Sequence, residues 1–138
     1  MEVKRDINIL WQYPSSSFED ICVWEEKIDN TFIYYNVSIE GYIFYETIED
    51  GINYIKEMKN NYLLWLKKNY DIDELIKDSN KHNKSCYISY DIEIIKDELP
   101  QPYSIYLNAP TFFNLYDIYL WLDGVINQLK TDPKICNL

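Results

Sequence analysis

Tyr45-Glu-Thr-Ile-Glu-Asp-Gly-Ile-Asn-Tyr-Ile55 is the stretch from which the rest of the chain can be read. Its first residues close an aromatic, β-branched run, and its last ones open an apolar period of three and four residues. Thr47 stands where a helix N-cap belongs, and Glu49 and Asp50 fall in the first turn, where the helix dipole favours acids. Ile48, Ile52, Ile55, Met58, Tyr62, Trp65 and Leu66 carry the period towards Tyr70, with Lys67 and Lys68 in the last turn. The pattern predicts one long amphipathic helix over 47–70.

Backward from this helix lie strand patterns. Residues 42–46 and 31–38 alternate aromatic and β-branched side chains on either side of a turn around Glu40-Gly41. Residues 7–13 form another, stopped by Pro14 and the run Ser15-Ser16-Ser17. Between them, residues 18–28 carry two patterns. Phe18, Ile21, Cys22 and Ile28 fit a helical period, with Ser16 and Glu19 as a capping box. Yet Ile21-Cys22-Val23-Trp24 is strand-like, and Asp29-Asn30 is turn chemistry ahead of a strand. We read 20–28 as a strand, which makes 7–46 an antiparallel meander.

Forward from the long helix, Asp71 caps a short helix over 72–78, followed by a polar loop from Ser79 to Ser85 that carries His82. Cys86–Ile95 and Tyr103–Asn108 read as strands, joined through Pro100 and Pro102. Pro110-Thr111 opens a last helix through Lys130, with Phe112, Leu115, Ile118, Tyr119, Leu122, Val125, Ile126 and Leu129 on one broad face. Gly124 is a modest liability inside it, and Asp132-Pro133 stops it. Strands, long helix, strands, helix is the order of an α+β domain, an antiparallel sheet with helices packed on one face. No repeat, low-complexity tract or linker divides the 138 residues, so 1–138 reads as a single domain.

Composition excludes more than it identifies. With 47% hydrophobic and 17% aromatic residues, the chain can bury a full core. Only Gly41, Gly51 and Gly124 are glycine, too few for a glycine-rich phosphate cradle. Cys22, Cys86 and Cys136 are odd in number and far apart. With His82 as the lone histidine they make no conventional zinc site, and they read as buried thiols. The N-terminus has no apolar stretch of signal-peptide length, and no apolar run is long enough to span a membrane, so the expected location is cytoplasmic.

Catalytic constellations are weak. Cys86 lies four residues from His82, but that histidine sits among lysines and asparagines, where a solvated side chain is the default. Glu25-Glu26, Asp91-x-Glu93 and Asp97-Glu98 are paired carboxylates without the basic groups that phosphoryl chemistry needs. Asp71-Ile-Asp73-Glu74 lacks the glycine and the terminal glutamate of a calcium loop. The expectation is a protein that is not an enzyme and takes no cofactor or metal.

Charge carries the positive signal. The net charge is −10, and residues 6–50 alone hold ten acids against Lys27. Residues 51–90 are net +2, and residues 91–138 net −4. A surface evolved only for solubility would mix the signs. Arg5 is the lone arginine, so nucleic acid and anionic membranes are poor partners, whereas a basic protein would be steered towards the acids. Fourteen tyrosines and four tryptophans add contact residues favoured at interfaces. The candidate partner-binding residues are Glu19, Asp20, Glu25, Glu26 and Asp29, then Asp91, Glu93, Asp97 and Glu98, with Tyr87 and Tyr90 as aromatic anchors.

In size, acidity, α+β order and the strand-to-capped-helix stretch Tyr45–Ile55, the chain resembles the cytoplasmic immunity proteins of bacterial polymorphic-toxin and contact-dependent growth-inhibition systems. The resemblance is one of profile and carries no family motif. It implies a cognate toxin domain, a basic nuclease by preference, whose active site this protein occludes while itself a monomer or weak dimer when free. Two other readings stand beside it. One is a phage or mobile-element anti-defence protein that mimics the charge of nucleic acid, against which the seven lysines of 51–90 count. The other is a small cytosolic enzyme of unknown reaction.

Overall fold

Thr47 caps the long helix as its sequence predicts: its side-chain oxygen accepts from the Asp50 amide at 3.1 Å. In the computed structural model, which describes residues 2–13, 21–39, 43–45, 47–81, 91–96 and 103–131, this helix is α1 (Ile48–Asn69). It buries Ile52, Ile55, Met58, Tyr62 and Leu66, the stripe that the apolar period marks. Asp71 caps α2 (Ile72–Ser79) by accepting from the Asp73 and Glu74 amides at 3.2 and 3.4 Å.

Strands β1 (Arg5–Tyr13), β2 (Ile21–Ile28) and β3 (Thr31–Ile39) form one antiparallel sheet in the order β1-β2-β3. The strand reading therefore holds over the helical one for Ile21–Ile28, and Asp20 and the residues of the alternative capping box lie outside the described ones. Asp29 and Asn30 both take positive φ, 50° and 66°, the backbone of a tight two-residue hairpin that these side chains tolerate. The turn is fastened to the start of β1. Asp29 donates its amide to the Lys4 carbonyl at 2.8 Å, and the Lys4 amide donates to the Asp29 carboxylate at 2.9 Å.

The meander does not continue into β4 (Ile43–Tyr45). That strand pairs with β6 (Tyr103–Asn108), which also pairs with β5 (Asp91–Lys96), making a second antiparallel sheet in the order β4-β6-β5. Local alternation proposes the sequence neighbour β3 as the partner, but β6 aligns Ile105 between Ile43 and Ile94. The α+β expectation stands, with its strands sorted into two sheets. Residues 82–90, which hold His82, the rest of the expected polar loop and the first part of the strand expected over 86–95, lie outside the described residues.

The last helix starts later than expected. α3 spans Leu115–Thr131, and Asn114, not Thr111, opens it by accepting from the Tyr116 amide at 2.7 Å. Phe112 cannot join the helix because both its backbone groups are committed elsewhere. It exchanges hydrogen bonds with Tyr35 of β3 at 2.7 and 2.9 Å, an antiparallel bridge from the first sheet to the chain entering α3. Its ring still reaches the core, at 6.0 Å from Trp121 in an edge-on contact.

The core is one cluster. Ile21 and Val23 enter from the first sheet, Leu107 from the second, and the stripes of α1 and α3 fill the space between. Each such side chain removed from water contributes roughly 1.5–3 kcal/mol. Among the described residues no helix is long and apolar enough to cross a membrane.

Candidate protein-binding face

Strand alternation separates two acids that are adjacent in sequence. Glu25 stands opposite Asn8 and Tyr35, whereas Glu26 stands opposite Ile7 and Tyr34. Neighbouring strand residues point to opposite faces. Glu25 and Glu26 therefore do not form one acidic patch. Glu25 lies on the side of Tyr35, ion-paired with Lys27 at 3.5 Å. Glu26 lies on the outward side.

Two β-bulges decide which residues share that outward face. Between Ile9 and Trp11 the register slips by one, leaving Leu10 unmatched. A bulge of this kind reverses the side to which later residues point. Ile7 and Ile9 thus stay outside, while Trp11 and Tyr13 turn inward onto α1. Trp11 meets Tyr62 edge-on at 5.1 Å and Trp65 at 6.5 Å, and Tyr13 lies 6.1 Å from Tyr54. The second slip, between Glu26 and Lys27, leaves Ile33 unmatched and brings Phe32 to the side of Tyr35, 4.6 Å between rings.

The outward face is built in rows: Ile9, Trp24 and Asn36, then Ile7, Glu26 and Tyr34. Its centre is a polar knot. Arg5 donates its Nε proton to Glu26, and the Tyr34 hydroxyl donates to the same carboxylate. The Glu26 side chain is only 2% exposed although it faces away from the core, while the Arg5 side chain that covers it is 62% exposed. The Tyr34 hydroxyl first, and Arg5 second, hold the Glu26 carboxyl below the usual glutamate range against the opposing effect of burial. The same carboxylate raises the pKa of both Tyr34 and Arg5.

Of the other residues singled out from the sequence, Asp29 sits exposed in the hairpin turn, bonded to Lys4. Asp91 and Glu93 occupy β5 opposite Asn108 and Tyr106, on the second sheet and not the first. Glu19, Asp20, Asp97, Glu98, Tyr87 and Tyr90 lie outside the described residues.

A buried polar cluster escaped sequence reading. The Ser79 hydroxyl, at the end of α2, donates to Asp117 Oδ1 on α3 at 2.5 Å. Asn114 donates to the Leu75 carbonyl at 3.0 Å, and the Tyr62 hydroxyl to the Leu115 carbonyl at 2.7 Å. In the sequence, Asp117 passes for one more first-turn acid, and only burial distinguishes it. Among the described residues, Asp117 Oδ2 and Trp121 Nε1 are buried without a hydrogen-bond partner.

The helical side of the molecule carries charges of both signs. A surface cleft of about 390 Å³ runs along α3, lined by Leu120, Asp123, Gly124, Ile126, Asn127 and Lys130. Lys59 reaches Asp123 at 3.0 Å and lies 5.5 Å above the Tyr119 ring. Hydrogen bonding to and repulsion from Lys130 hold the Lys56 amine below the usual lysine range. Among the described residues no three histidine, cysteine or acidic side chains cluster as a metal site.

Compared with family models, with curated proteins and with solved structures, the chain matches none.

Proposed function

We propose that this chain is an acidic inhibitor that binds a basic protein, as the immunity proteins of polymorphic-toxin systems bind a cognate toxin domain. One observation carries the reading. The net charge is −9 over residues 6–50, the segment that supplies the first sheet beyond Arg5, β4 and the first turn of α1. A field concentrated in this way accelerates encounter with a cationic partner and repels anionic ones. A nuclease domain is the favoured partner, since its active site must be cationic to hold a polyanion.

Charge mimicry of nucleic acid fits less well. Lys56, Lys59, Lys67 and Lys68 line α1, and Lys56 is crowded by Lys130, a number of lysines that such a mimic would not carry.

The test is capture on the immobilised chain of the purified products of adjacent genes, washed across a salt gradient. One basic protein retained at low salt and released at high salt is the expected result, with its nuclease activity lost on addition of this chain. Retention of no basic product, or retention with activity unchanged, overturns the reading.

A further inference from the structure

Three lysines from two helices converge at one end of the α3 cleft. Lys56 and Lys59 stand one turn apart on α1, and Lys130 lies in the last turn of α3. The Lys56 amine is within hydrogen-bonding reach of Lys130 and is repelled by Lys59 as well. Lys130 lines the cleft of about 390 Å³, together with Leu120, Asp123, Ile126 and Asn127. We propose that this end of the cleft, where Lys56, Lys59 and Lys130 meet, binds a phosphate group. The site stands apart from the first sheet and does not depend on a basic partner.

Exposed lysines swing apart to relieve repulsion, because each stem has several rotatable bonds. These are held. Lys56 is half-buried, and the Lys59 side chain is only 16% exposed, fixed by Asp123 at 3.0 Å and by the Tyr119 ring at 5.5 Å. Packing therefore gathers the ammonium groups before any ligand arrives, which spares a site part of its ordering cost. An anion between them turns that repulsion into attraction.

The acids nearby do not cancel this charge. Asp123, in the cleft lining, is met by Lys59. Glu49 supports the charge on Lys56, but its effect is smaller than those of Lys130, burial and Lys59. The net charge of −10 opposes any anion, yet exposed charges farther than about 8 Å are largely screened at physiological salt. Chemistry then selects the ligand. Two adjacent ammonium groups match a dianion with an oxygen for each, whereas a carboxylate brings one charge. Asn127 adds an amide donor to the same lining. Leu120 and Ile126 offer an apolar wall that inorganic phosphate leaves unused, so a small organic phosphate ester is the favoured carrier.

The experiment follows amide and lysine side-chain resonances of the whole chain, at constant ionic strength, during titration with inorganic phosphate, phenyl phosphate and benzoate. Both phosphates are expected to give saturable shifts at Lys56 and over residues 123–130, phenyl phosphate being the tighter. Benzoate, with one charge fewer, should bind about fivefold more weakly than phenyl phosphate. Lys56→Met and Lys130→Met should each weaken phenyl phosphate about fivefold. Lys67→Met, about three turns along α1 from Lys56, should leave its binding unchanged. Bound phosphate should also return the Lys56 amine towards the ordinary lysine range. Inorganic phosphate that binds as tightly as phenyl phosphate supports the site and gives it to the free ion. No saturable shift, shifts away from the cleft, or benzoate binding as well as phenyl phosphate overturns the assignment. So does wild-type binding by Lys56→Met or Lys130→Met, or equal weakening by Lys67→Met.

Discussion

Ser79 and Asp117 are joined by a buried hydrogen bond at 2.5 Å that closes α2 onto α3. Both side chains are excluded from solvent, so the carboxylate cannot exchange Ser79 for water. Removing the donor from a buried acceptor costs roughly 1–3 kcal/mol. Ser79→Ala should lower unfolding stability by that amount in a urea titration. Asp78→Ala, which removes an exposed carboxylate one residue away, should change it by no more than about 0.5 kcal/mol. Equal effects from the two variants would mean that the pair does not hold the helices together.

Glu26 gives the fold a directed acid sensitivity. Its carboxyl is held below the ordinary glutamate range, chiefly by the Tyr34 hydroxyl and then by Arg5. A depressed folded-state pKa contributes stability that is present above the unfolded carboxyl's value and is lost as pH falls through the folded one. Tyr34→Phe removes the largest cause while Arg5 remains, so the Glu26 midpoint should rise towards the ordinary range. Stability should then become less dependent on pH below that range. Carboxyl carbon chemical shifts read the midpoint directly, and a Tyr34→Phe midpoint that does not move would show that Arg5 alone sets it.

Thr47 and Tyr62 test two kinds of polar contact on α1. Thr47→Ala removes a cap from the exposed end of the helix and should cost about 1 kcal/mol, whereas Thr47→Ser should cost little. Tyr62→Phe loses the bond to the Leu115 carbonyl inside the core and should cost about 1 kcal/mol or more, because water cannot replace it. Burial raises the Tyr62 pKa well above the ordinary tyrosine value. In an alkaline absorbance titration, Tyr62 should ionise only as the protein unfolds. A difference spectrum of wild type against Tyr62→Phe that shows its ionisation in the folded state would contradict this placement.

Signals contained in a few neighbouring residues were legible in the sequence. The cap at Thr47, the stripe of α1, the cap at Asp71 and the hairpin at Asp29-Asn30 each depend on local chemistry, and each forms as read. Partners chosen by the rest of the chain were not legible. β4 looks like the next strand of a meander but is claimed by β6. Thr111 looks like a helix start, but Phe112 is already bonded to Tyr35. The acidic segment was legible as composition, whereas the division of Glu25 from Glu26 required only the period of a strand. Ile7 and Ile9 were passed over because unbroken alternation groups them with Trp11 and Tyr13, and a one-residue bulge leaves no mark in the composition.

That bulge is itself open to test. Deleting Leu10 would restore unbroken pairing between β1 and β2, and the side chains on one side of the deletion would have to change faces. Either Trp11 and Tyr13 leave Tyr62, Trp65 and Tyr54, or Ile7 and Ile9 turn inward and displace Arg5 from Glu26. Both outcomes break contacts that no substitution at Leu10 breaks. Leu10→Ala should keep a cooperative unfolding transition and the near-ultraviolet dichroism of the packed tryptophans, at a cost of about 1–2 kcal/mol for a half-buried leucine. The deletion should lose that dichroism and either unfold or melt without cooperativity. A deletion variant that retains both signals would show that the slip is dispensable, and that Trp11 reaches α1 by another path.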